Sequence, residues 1–120
     1  MTKEKEEMLV KKYPKCFRDY YKSPQVTCLC WGCECGDGWF DILDRLFEKL
    51  EKLDVALHQV KEKFGGLRVY FECPAENDDV AYKLIENAEV EAANTCEVCG
   101  KQGRIKIENY WYKCRCGDCV

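Results

Sequence analysis

The chain is poor in the residues that usually carry enzymatic chemistry. It has one histidine, His58, and three prolines in 120 residues. No Ser-His-Asp set stands in a familiar context, and no Walker loop or dinucleotide fingerprint is present. The carboxylates fall mostly on expected helix surfaces, so no catalytic residue is assigned and the protein reads as a non-enzyme. No apolar run approaches the roughly 20 residues of a membrane span. Positive charge is not in surplus either: 19 basic side chains meet 22 acidic ones, a formal net charge of -3. Binding of nucleic acid by bulk attraction is therefore disfavoured, although a local basic patch is not. The opening MTKEKEEMLVKKYPK mixes both signs and has no apolar stretch of the secretory kind, so the expected location is cytoplasmic.

What the chain has instead is cysteine, eleven residues in all. In a reducing cytosol stable disulfides are rare, and an odd number cannot pair completely within one chain. Spacing points to metal. Cys96-Glu-Val-Cys99 and Cys116-Gly-Asp-Cys119 are two Cys-x2-Cys knuckles, close to the paired pattern of structural zinc sites. Four thiolates would close a tetrahedron and leave no position for water, so the ion would hold structure rather than do chemistry. A redox pair or buried free thiols is the plainer alternative. A second, denser cluster holds Cys28, Cys30, Cys33 and Cys35. One ion taking all four ligands from so short a run needs a very tight wrap, and these thiols also suit small buried apolar roles. One Zn2+ is expected and a second stays open. Cys16, Cys73 and Cys114 are left over, with Cys114 near enough to compete with Cys116.

Hydrophobic periodicity sets the elements. Residues 3–12 read as a charged helix that Pro14 ends. Residues 14–21 read as a short turn and 23–38 as loop. From Trp39 to Leu53 an i, i+3, i+4 stripe predicts a helix, with Asp37 or Gly38 as its cap. Residues 55–73 read as a hairpin turning at Gly65-Gly66, which sets Lys63 opposite Arg68 and Lys61 opposite Tyr70. That register puts Phe64 on the core face and leaves Glu62 there without an apolar reason. A helix over 77–93 follows, capped by Asn77 or Asp78, and then two short strands between the knuckles. The fold class is α+β: two to three helices on a small antiparallel sheet, with a C-terminal zinc-ribbon or treble-clef-like module. The expected division is 1–94 for the binding domain and 95–120 for the knuckle module.

Function then rests on surfaces. The polar hairpin face gathers Lys61, Lys63, Arg68 and Tyr70, a cradle for a phosphate or carboxylate beside a ring. Trp31 and Trp39 would add an aromatic wall, with a helix N-terminus next to them. The plain alternative is the wet face of an antiparallel sheet. His58 opposite Cys73 is a further candidate pair to complete a metal site with thiols of the 28–35 cluster. Arg104, Lys106, Lys113 and Arg115 near Trp111 and Tyr112 would serve a nucleic-acid-binding module, the less favoured partner class.

The segments Cys30-Trp-Gly-Cys-Glu-Cys-Gly-Asp-Gly-Trp39, Val60-Lys-Glu-Lys-Phe-Gly-Gly-Leu-Arg-Val-Tyr70 and Thr95-Cys-Glu-Val-Cys-Gly100 resemble a group of small phage and prophage proteins of no assigned activity. The likeness covers about residues 13–119. Cys16, Cys33, Cys73 and Cys114 look like additions to that pattern. The resemblance implies a zinc-stabilised binder in the host cytosol, with a counter-defence role. It would capture a nucleotide-like anionic signal or block a host defence protein. Oligomeric state is open.

Overall fold

A computed structural model describes residues 1–119. Helix α1 (Lys3–Lys12) opens it, with Glu4 and Glu6 in the first turn and Lys11 and Lys12 in the last, the charge order that suits a helix dipole. Strand β1 (Cys33–Glu34), helix α2 (Phe40–Glu51), and strands β2 (Ala56–Lys63) and β3 (Gly66–Glu72) follow. Helix α3 (Asp78–Ala93) and strands β4 (Arg104–Glu108) and β5 (Trp111–Arg115) complete the chain. The fold is α+β, with a three-stranded sheet in the order β1-β2-β3 and a separate β4-β5 ribbon. β1 runs parallel to β2, a short strand inside the segment expected as loop.

One face of the three-stranded sheet is the core face. Val60, Leu67 and Val69 point to it, and α2 brings Ile42, Leu43, Leu46, Phe47 and Leu50. α3 closes the layer with Ile85 and with Ala81, Ala88 and Ala92, whose small side chains let it approach α2 and β3 closely. α1 adds Leu9, and Phe17 stacks edge-on against Phe47 at 5.4 Å. Each fully buried large side chain contributes about 1.5–3 kcal/mol.

Neither expected cap forms. Asp37 accepts instead from the amide of Thr2 at 2.7 Å, tying the start of α1 to the start of α2. The Asn77 amide donates to the Leu53 carbonyl rather than to α3. A single 3-10 turn precedes each helix, at Asp37–Trp39 and Ala75–Asn77.

The hairpin register also differs from expectation. The turn is Phe64-Gly65, not Gly65-Gly66, so Lys63 pairs with Gly66, Lys61 with Arg68 and Gln59 with Tyr70. Phe64 thereby leaves the core face and is 63% exposed at the tip. Glu62 loses its discord, because its carboxylate accepts from the Gly65 amide at 2.7 Å and braces the turn. Phe64 and Gly65 both have positive φ, at 53° and 81°, the backbone of a type I′ turn. The β4-β5 ribbon turns the same way at Asn109 (51°) and Tyr110 (66°).

Tyrosine in that conformation is unfavourable by about 1–2 kcal/mol relative to glycine, less the entropy glycine loses on folding. Tyr110 is 97% exposed and has almost no packing to lose. Tyr110→Gly, which creates an Asn-Gly turn, is expected to stabilise the protein by about 0.5–1 kcal/mol in denaturant unfolding. A loss of stability would show that the tyrosine makes contacts that outweigh its backbone strain.

Candidate metal centre and cationic faces

The two C-terminal knuckles converge. The sulfurs of Cys96, Cys99, Cys116 and Cys119 all lie within 4.8 Å of one another. A zinc–thiolate tetrahedron with bonds of about 2.3 Å needs sulfurs about 3.8 Å apart, and Cys99 and Cys116 stand at 3.5 Å. The group can hold a metal ion, and among the described residues it is the one such set.

The backbone is arranged for thiolates. Burial pushes the Cys96 thiol up, but the amides of Cys99, Cys116 and Val98 overrule it and bring the group down to about 6. Cys116 is lowered chiefly by the Asp118 amide, against its desolvation. Cys119 moves the other way, to about 12, because its sulfur shares hydrogen bonds with Cys116 and Cys99. Cys96 and Cys116 are poised to ionise, whereas Cys99 and Cys119 are both raised, in part by hydrogen bonds to their neighbouring sulfurs. A cation at the centre would let all four ionise together. That is the donor set and the charge demand of a closed structural metal site.

The knuckle is also clasped from outside. The Gly38 amide donates to the Glu97 carbonyl at 2.7 Å, and the Gly36 amide to the Glu97 carboxylate at 2.8 Å. A Cβ on Gly38 would stand 2.1 Å from the Cys96 carbonyl oxygen, and one on Gly36 would stand 2.3 Å from that of Glu97. The two glycines are there to let the backbones meet. Trp39, fully buried, then donates its indole N–H to the Thr95 carbonyl at 2.9 Å. Trp39 is therefore a core residue and not the wall of a ligand site. The Gly38 amide, in the turn ahead of α2, is spent on the Glu97 carbonyl.

Cys114 does not compete as a ligand. It sits on the ribbon face turned to the core and donates to the Thr95 carbonyl at 3.1 Å. The expected second cluster is not gathered: Cys28, Cys30, Cys33 and Cys35 form no ligand group among the described residues. β1 turns Cys33 into the core, and Cys35 is buried beyond it, while Cys28 stays exposed. Burial pushes the Cys33 thiol well up and raises Cys35 to about 12, as befits neutral buried thiols. Glu6 fixes this path, accepting from the Cys33 amide at 2.7 Å and from the Tyr20 hydroxyl. His58 and Cys73 do not combine either. A register shift interrupts the ladder at His58, whose Nε2 lies 3.6 Å from Glu72, and the Cys73 thiol donates to the Pro74 carbonyl.

The polar hairpin residues do share a face. Tyr70, Arg68, Lys61 and Lys63 share the sheet face opposite Val60, Leu67 and Val69, although Arg68, on the edge strand, lies near enough to Glu89 of α3 for its charge to act on that carboxyl. Lys61 stands directly opposite Arg68, with Glu34 beside it in register on β1, and none of the three cations makes an ion pair among the described residues. Tyr70, half-exposed, borders an open cleft of about 350 Å³ with Thr27, Cys28 and His58. Trp31 is 62% exposed on its own turn and does not border that cleft. On the ribbon, Arg104 pairs with Arg115 and Lys106 with Lys113 on one face. The tips are not evident in the sequence, where a Gly65-Gly66 turn puts Phe64 on the core face and alternation puts Tyr110 in a strand. A two-residue spacing between alternating runs was the signal for the second turn.

Compared with known proteins, the chain matches no family model, no curated protein and no solved structure.

Native mass spectrometry is expected to find one metal ion per chain. Cys99→Ser should lose it, whereas Cys114→Ser should keep it and Cys28→Ser should leave the count unchanged. Loss of metal in Cys114→Ser would overturn the ligand assignment.

Proposed function

We propose that the chain is a zinc-stabilised, non-catalytic binding protein of the phage type that captures a nucleotide-like anion. Four thiol ligands favour zinc, since a set of four sulfur donors suits it best among common divalent metals. Its chemistry at this site is structural. Cys96, Cys99, Cys116 and Cys119 hold the C-terminal ribbon against the body, and the ion brings no open position for a substrate.

The observation that carries the binding assignment is the opposition of Lys61 and Arg68. Like charges directly across a ladder are unfavourable, and neither Lys61 nor Arg68 has a salt bridge among the described residues, although Arg68 acts at longer range on Glu89 of α3. An anion bridging the two would relieve that repulsion and gain charge-assisted hydrogen bonds. Lys63 extends the charge along the same face, and Tyr70 offers a ring at its other end for a base. In the host cytoplasm, such a protein would withdraw an anionic nucleotide signal from a defence system. That role rests on the resemblance to phage proteins. Blocking a host defence protein directly is the rival mode, served by exposed aromatics such as Trp31.

No helix among the described residues is long and apolar enough to cross a membrane. Titration calorimetry against cyclic nucleotides and ADP-ribose-like ligands is the test. Arg68→Ala, on a half-exposed edge position, should weaken binding at least tenfold, a cost of about 1.5–3 kcal/mol for a charged hydrogen bond. Heat that survives this change would remove the cradle, and absence of heat with every nucleotide would favour the protein-blocking mode.

A further inference from the structure

The tips of the two hairpins meet. Phe64 at the β2-β3 turn lies edge-on to Tyr112 of β5, with ring centroids 5.7 Å apart. Tyr110 and Trp111 extend the group, and with Glu62 these rings line a concavity of about 280 Å³. All four rings are exposed, from 39% for Tyr112 to 97% for Tyr110. Exposing four aromatic rings in one place forfeits their burial energy.

Two further observations concern the same place. Three of the four non-glycine residues with positive φ are Phe64, Asn109 and Tyr110, all at these two turns. Strained backbone of this kind concentrates where a side chain must be presented rather than where it folds best. The ribbon beneath the tips is also cationic. One of its faces carries two successive like-charge pairs, Arg104 with Arg115 and Lys106 with Lys113, and then Glu108 opposite Trp111. Among the described residues, Arg115 is the one of these four cations with an ion pair, to Glu97 at 3.3 Å. Lys106 donates weakly to the Cys116 carbonyl, at 3.4 Å. Lys63 stands with its ammonium 5.7 Å from the centre of the Phe64 ring. Residues 104–115 carry a net charge of +3 in a chain whose total is -3.

We propose that the two hairpin tips form a platform for single-stranded nucleic acid, with bases stacked on Trp111, Tyr110 and Phe64 and the backbone tracked by Lys106 and Lys113. Charge complementarity selects the occupant. Unpaired cations in a row call for a polyanion, and solvent-facing rings beside them call for one with free π faces. A single strand supplies both, whereas a duplex hides its bases and an acidic peptide lacks regular stacking partners. This site stands apart from the Lys61–Arg68 cradle and does not depend on it.

Fluorescence anisotropy with short labelled single-stranded DNA and RNA tests the assignment, with a duplex of the same sequence and polyglutamate as controls. Single strands should bind with a steep salt dependence, and both controls should bind at least tenfold more weakly. Trp111→Ala should weaken binding by about 5- to 100-fold. Lys106→Gln and Lys113→Gln should each lower the salt slope by about one. Tyr110→Gly keeps the fold and should still weaken binding, which separates stacking from structural damage. Arg68→Ala should leave oligonucleotide binding unchanged, so failure here and failure of the nucleotide cradle are told apart. Absence of binding, or binding of polyglutamate as tight as that of single strands and indifferent to Trp111→Ala, would overturn the platform.

Discussion

The contact on which this structure depends is the clasp between the Cys96–Gly100 knuckle and the Gly36–Trp39 turn. Two glycines bring two backbones within hydrogen-bond reach, and the indole of Trp39 locks the end of α3. Both of the longer helices and the ribbon meet at this point. α2 begins just after Trp39, α3 ends just before the knuckle, and β5 returns through it by the Cys114 carbonyl, which accepts from the Glu97 amide. A chain this short buries a modest interior. An ion that fixes the knuckle therefore also fixes the head of α2 and the seat of the ribbon. The boundary drawn at residue 94 in the sequence is thus a seam crossed by many hydrogen bonds.

The same clasp explains why two distant sequence segments go together. Gly36-Asp-Gly-Trp39 and Thr95-Cys-Glu-Val-Cys-Gly100 are halves of one joint. Asp37 faces away from it to hold the start of α1, and Glu97 faces into it to bind Gly36. The polar and glycine residues that suggest a loop for ligands are consumed by internal contacts. What remains exposed and unpaired lies elsewhere, on the open sheet face and at the hairpin tips.

Much of the fold was legible because amphipathic periodicity is a strong signal. The helix at 3–12 and the stripe from Ile42 to Leu50 need only their apolar spacing. The metal ligands were legible because a Cys-x2-Cys pair aims two sulfurs at one point whatever surrounds it. The hairpin register was not, because Gly65-Gly66 is a better type I′ turn than Phe64-Gly65 by local chemistry alone. Glu62 decided it: a carboxylate bracing the turn from the third residue back, and a phenyl ring with a neighbour on another ribbon, are tertiary facts. The cysteines at 28–35 misled for a related reason. Their spacing resembles a ligand set, but two of the four alternate into the core, where a thiol serves as a small apolar group.

The tips show the usual tension between stability and use. Glycine at position 110 and an apolar interior for Phe64 would suit folding better, and the chain has neither. The central claim, however, concerns the ion and the clasp. Amide hydrogen exchange at Gly38, read in the metal-loaded protein and after chelation, tests it most directly. Strong protection of that amide with the ion bound, lost to near-random-coil exchange once it is removed, is the predicted result. Protection unchanged by removal of the metal would contradict the account, because the joint would then stand without the ion that is said to hold it.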